Sequence, residues 1–75
     1  MTNYTKRIRD LREDRDLTQA QIAKALHTTQ SHYSQYELGK REIPLHHIIT
    51  LCKLYDVSAD YVLGFTNERK PLPRK

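Results

Sequence analysis

Four side chains between residues 30 and 35 carry chemistry suited to recognition: Gln30, Ser31, Ser34 and Gln35. A glutamine amide places a donor beside an acceptor, and a serine hydroxyl can act as either. Such an amide matches the paired donor and acceptor that adenine shows in the major groove, while serine can meet any base. Residues three and four apart share a helix face, so these four belong together if the segment is helical. Lys40 and Arg41 follow at once and supply cations suited to phosphates, which fix position without carrying sequence information. Taken alone, such a face is also what any solvated helix presents, so the flanking elements must decide.

The other reactive constellations lead nowhere. His46, His47 and Cys52 suggest a metal, but adjacent helical residues point about 100° apart. His46 and His47 are therefore expected to diverge, and five residues from His47 to Cys52 is poor ligand spacing on one helix. His27 and His32 belong to other elements. No metal and no cofactor is expected. Ser58, His46 and Asp60 are the residue types of a catalytic triad, but they lie close in sequence at the surface, and a chain of 75 residues has no room for a pocket. An enzyme is not expected. Cys52, on an apolar stripe, reads as a small core residue.

The elements that position the recognition residues are helices. At 8.9 kDa and a mean hydropathy of −0.80, the chain is expected to be a soluble single domain burying about 60–65% of its unfolded surface. No apolar run approaches a membrane span, no secretory signal is expected because the first ten residues hold no apolar stretch, and one cysteine permits no internal disulfide. A cytoplasmic location is expected. The net charge is +4, but Phe65 to Lys75 hold four basic residues against one acidic, leaving the first 64 residues with nine basic and eight acidic. Charge alone therefore does not settle a nucleic-acid partner.

From Thr5 to Arg15, Tyr4, Ile8 and Leu11 mark one helical face, with Thr2 or Asn3 as the cap and Asp16 at the helix end. Thr18-Gln19-Ala20-Gln21 has the form of a capping box, and Leu17 with Ile22 that of a hydrophobic staple. This second helix runs to about Leu26. His27-Thr28-Thr29 forms the turn, with Thr29 (Thr28 is the alternative) capping a third helix over Gln30–Leu38 that ends at Gly39. Tyr33 and Tyr36 face inward. The fourth helix, Leu45 to Tyr55, has an apolar face, widened by Ile49 and Leu54, broad enough to imply either a central position or a subunit contact. Ser58 caps a short fifth helix that ends at Gly64.

Two helices joined by so short a turn, the second with small polar side chains outward, have helix-turn-helix geometry. Over Ile8 to Gly64, and above all in IRDLREDRDLTQAQIAKAL, QSHYSQYELGKR and LCKLYDVSADYVLG, the chain resembles the phage repressor and Cro family of XRE-type regulators. The resemblance implies an all-α, five-helix bundle whose third helix enters the major groove as part of a dimer. It also implies base contacts from Gln30, Ser31, Ser34 and Gln35, and phosphate contacts from Gln19, His32, Lys40 and Arg41. Gln19 would in addition brace Gln30, and Arg12 would pair with Glu37. The sequence departs from the family with His27 where the turn has Gly, Asp16 where Gly or Asn is common, and Cys52 for Ala. Asp16 and His27 are therefore expected at positive φ.

Residues 1–64 are thus expected to be the DNA-binding domain and 65–75 a mobile basic tail, the domain being the whole protein. The expected partner is a double-stranded operator, bound by a homodimer that represses transcription, with no membrane partner. The alternative is an antitoxin-like module that binds a protein partner and its own operator. Phe65, just past Gly64, is either exposed, and then a candidate dimer contact, or buried against its own helix. Single-stranded RNA binding would instead use Tyr33 or Tyr36 as stacking platforms.

Overall fold

The structure, a computed structural model, describes residues 4–68. Five helices follow one another: α1 (Tyr4–Asp14), α2 (Gln19–Ala25), α3 (Gln30–Leu38), α4 (Leu45–Tyr55) and α5 (Ala59–Leu63). No strand occurs among the described residues, and no helix there is long and apolar enough to cross a membrane. The expected caps Thr2 and Asn3, and the expected tail beyond Glu68, lie outside the described residues.

Side-chain oxygens start the helices that flank the turn. Thr18 Oγ1 accepts from the Gln21 N–H at 3.1 Å, and Gln21 Oε1 accepts from the Thr18 N–H at 2.8 Å, completing the capping box. Thr29, and not Thr28, caps α3 by accepting from the His32 N–H at 3.1 Å. Ser58 does the same for Tyr61 in α5.

Every helix closes through a left-handed residue: Asp16 (φ 55°), His27 (58°), Gly39 (77°), Asp56 (54°) and Gly64 (89°). At the turn, the His27 N–H reaches the Lys24 carbonyl at 3.1 Å and the Thr28 N–H reaches the Ala23 carbonyl at 2.9 Å, the two bonds of a Schellman closure. Asp16 and His27 take the positive φ expected of them. Asp56 is a third non-glycine case that the sequence pattern does not reveal. Each side chain in this region costs up to about 1 kcal/mol relative to glycine. His27→Gly is therefore expected to stabilise the domain by about 0.5–1 kcal/mol, partly offset by the freer unfolded chain. A shift of the urea midpoint to higher concentration checks this; a clear shift downward would mean that His27 makes a stabilising contact.

The apolar stripes meet in one core. Ile8 and Leu11 of α1, Ile22 of α2, Tyr33 and Tyr36 of α3, Leu51 and Tyr55 of α4, and Val62 of α5 are buried, and Leu17 packs partly against them. Ala23 is buried as well, and its small side chain suits the close packing of α2 on α3. α3 also packs on α1, and α5 packs on α1 and α4, so α3 has one side held by two helices and the other left open. Cys52 is half-buried beside the core, and burial pushes its thiol up. Past α5, the Phe65 N–H bonds to the Asp60 carbonyl at 2.8 Å while its ring stays 78% exposed. Of the two placements left open for Phe65, the exposed one is found. Arg7 lies 4.2 Å over the Tyr61 ring and donates to Asn67 Oδ1 at 2.9 Å, tying this segment to α1.

Candidate nucleic-acid interface

Beneath the open side of α3 lies a polar clamp that fixes its orientation. Arg12 donates through Nε to Glu37 Oε2 at 2.8 Å and through a terminal nitrogen to Oε1 at 3.2 Å. Its other terminal nitrogen donates to the Leu17 carbonyl at 2.8 Å. Gln19 Nε2 adds a third bond to the carboxylate, at 3.1 Å to Oε1. The Glu37 side chain is 4% exposed and that of Arg12 14%. One carboxylate thus joins α1, the start of α2 and the end of α3.

The electrostatics follow from this packing. Burial pushes the Glu37 carboxyl up, but the bond from Arg12, the nearby Tyr33 hydroxyl and the bond from Gln19 together outweigh it and hold the carboxyl below the usual range. The Arg12 guanidinium, bonded to that carboxylate, is raised in turn. The Tyr33 hydroxyl is buried near the carboxylate but off full hydrogen-bond geometry, and burial followed by the carboxylate drives its pKa far above that of an ordinary phenol. Burial, followed by the same charge, pushes Tyr55 up to about 12.

With this support, α3 turns Tyr33 and Tyr36 inward, where their rings meet edge to face at 6.1 Å. They are core residues, not open stacking platforms. Gln30 and Ser31 are exposed, while Ser34 and Gln35 are half-buried. At 100° per residue these four fall within one sector of the helix. Lys40 and Arg41 are exposed in the loop that Gly39 reverses. His32 sits on the flank, its ring packed edge-on against Tyr36 at 5.3 Å.

Three details depart from expectation. The Gln19 amide nitrogen is engaged by Glu37, not by Gln30; a carboxylate is the stronger acceptor for it. The His46 and His47 rings do not diverge but lie 4.2 Å apart, tilted by 49°, because side-chain torsions bring together rings whose Cβ atoms point apart. His47 also lies 5.9 Å from the Tyr36 ring, and burial, then His46, His32 and His27, lower its pKa. Among the described residues no three potential ligands form a group able to hold a metal ion. Finally, Arg41 Nε donates to Gln35 Oε1 at 3.2 Å, so a residue read as a phosphate contact touches one read as a base contact.

Sequence reasoning also missed Leu38. It is 65% exposed and, at eight residues from Gln30, falls in the middle of the polar sector. An apolar side chain there suits a thymine methyl group. The signal was available in its spacing, but as the last residue of the helix Leu38 read only as a boundary.

A family model described as helix-turn-helix matches residues 8–62. An uncharacterised HTH-type transcriptional regulator of Bacillus subtilis, YobD, is 40% identical over 68 residues, covering 91% of this chain and 61% of that protein. A second from the same organism, YqaE, is 36% identical over 67 residues, covering 88% and 58%. The chain thus spans about three-fifths of the length of these relatives. The crystal structure of the P22 c2 repressor in complex with a synthetic operator superposes with a TM-score of 0.78 at 26% identity, covering 88% of this chain and all of that one.

Proposed function

The chain belongs to the XRE-type helix-turn-helix family, and from that premise we propose that it is a sequence-specific DNA-binding transcriptional regulator of the repressor type, working in the cytoplasm. The observation that carries this is the open sector of α3, lined by Gln30, Ser31, Ser34 and Gln35 and held from behind by the Arg12–Glu37–Gln19 clamp. A helix fixed in this way can enter the major groove, where base edges are distinguishable. Gln19, His32, Lys40 and Arg41 surround the sector and supply donors to phosphate. Repression would follow from occupying a site that the polymerase needs. No reaction is assigned to the chain.

A homodimer belongs to the same proposal. Leu45, Ile49, Leu54 and Phe65 are all exposed apolar side chains at 44–78%, and the similar P22 c2 repressor was crystallised on an operator. Selection from a random duplex pool tests binding and assembly together. The expected product is a near-palindrome with half-sites ~10 bp apart, centre to centre, holding two protomers. An isolated half-site bound as tightly as the pair by one protomer would exclude the dimer, and no enrichment at all would exclude sequence-specific binding. An antitoxin-like module would enrich its own operator as well, and would be told apart by a protein partner that co-purifies with the chain.

A further inference from the structure

We propose that Arg41 determines which base Gln35 reads, by holding the Gln35 amide with its oxygen turned toward the loop and its nitrogen free. This rests on the assignment of the α3 sector to the major groove. The bond from Arg41 Nε to Gln35 Oε1, 3.2 Å long, fixes the amide chemically: a guanidinium has only donors, so only the amide oxygen can meet it. The backbone places Arg41 for this task. Gly39 at φ 77° reverses the chain, and the Lys40 and Arg41 N–H groups both point back to the Gln35 carbonyl, at 3.0 and 3.3 Å. Arg41 therefore returns to Gln35 through its backbone as well as its side chain.

The consequence is a change in the pattern that Gln35 offers. A free glutamine amide pairs with adenine by accepting from N6 and donating to N7. With its oxygen bound by Arg41, Gln35 presents mainly the two N–H donors of Nε2. The oxygen keeps a second lone pair, but an adenine amino group approaching it arrives beside a guanidinium cation, whereas a carbonyl oxygen is attracted there. The couple is a surface of donors, and guanine, with acceptors at both O6 and N7, is the base that matches it. Arg41 is a specificity-determining residue as well as a charge near the phosphates.

The experiment measures binding of wild type, Arg41→Ala, Gln35→Ala and the double variant to duplexes carrying each of the four base pairs at every position of the half-site. Arg41 is exposed and Gln35 half-buried, and a thermal melt confirms the fold of each variant. Wild type should prefer guanine at the position where Gln35→Ala abolishes discrimination. Arg41→Ala should move that preference toward adenine by about tenfold, within the range of one paired base contact, besides weakening all duplexes. In the Gln35→Ala background, removing Arg41 should lower affinity uniformly with no change in base profile. If Arg41→Ala alone leaves the profile unchanged while wild type still discriminates, Arg41 serves phosphate only and the proposal fails although α3 reads DNA. If wild type shows no base preference anywhere, both this proposal and the major-groove assignment fall.

Discussion

Arg12→Ala is expected to destabilise the domain by about 3–5 kcal/mol, the cost of leaving one partner of a buried pair uncompensated. The burden falls on Glu37, whose side chain is 4% exposed and would keep only the Gln19 bond. Glu37→Ala should cost less, because Arg12 is 14% exposed and retains the Leu17 carbonyl. A double-mutant cycle should show coupling well above the 0–1 kcal/mol typical of exposed pairs. The pH profile provides a second readout. In wild type the Glu37 carboxyl lies below its ordinary value of 4.5, so its stabilisation is present above that value and is lost as pH falls through the folded pKa. Without Arg12, burial dominates and raises the folded pKa, so the sign inverts: the deficit of Arg12→Ala should shrink as pH falls from neutral toward 4.5. Urea titrations at several pH values measure both effects. Coupling near zero, or a deficit independent of pH, would show the pair to be incidental.

The second large effect separates reading from gripping. Lys40 is exposed in the loop after α3 and supplies charge, while Gln35 lies in the polar sector. Gln35→Ala should weaken the selected duplex by an amount worth about 1–3 kcal/mol, relax preference at one base pair per half-site, and leave the salt dependence unchanged. Lys40→Ala should weaken selected and scrambled duplexes alike and reduce the slope of log K against log salt by about 0.9 for each phosphate no longer neutralised. Lys40 is the cleaner probe of charge, since Arg41 is bonded to Gln35. Equal weakening on both duplexes for Gln35→Ala, or altered base preference for Lys40→Ala, would contradict the assignment of the two residues.

Much of the fold is written in local signals. Thr18 and Gln21 specify the start of α2 because both hydrogen bonds of the box lie within four residues, and the Tyr33 and Tyr36 spacing specifies the buried side of α3. Helix ends were legible where glycine marks them, at Gly39 and Gly64, and where the family pattern has glycine, at Asp16 and His27. Asp56 escaped because neither applied, although its φ is as positive as theirs. Side-chain torsions are the larger gap. Backbone periodicity cannot say that the His46 and His47 rings meet, that Gln19 bonds to Glu37, or that Arg41 folds back on Gln35. These choices depend on the strongest available partner in space, and it is on them that the fine chemistry of the recognition surface turns.

Whether α3 lies in the major groove can be measured by altering the DNA one groove at a time. In the selected duplex, 7-deazapurines at the half-site positions remove the N7 acceptor from the major groove, and inosine for guanine removes the amino group from the minor groove. The expected result is a fall in affinity of about tenfold or more for 7-deazapurine at a position read by Gln30 or Gln35, with inosine close to neutral across the half-site. The opposite pattern, with inosine costly and 7-deazapurine tolerated throughout, would place the contacts in the minor groove and contradict the insertion of α3.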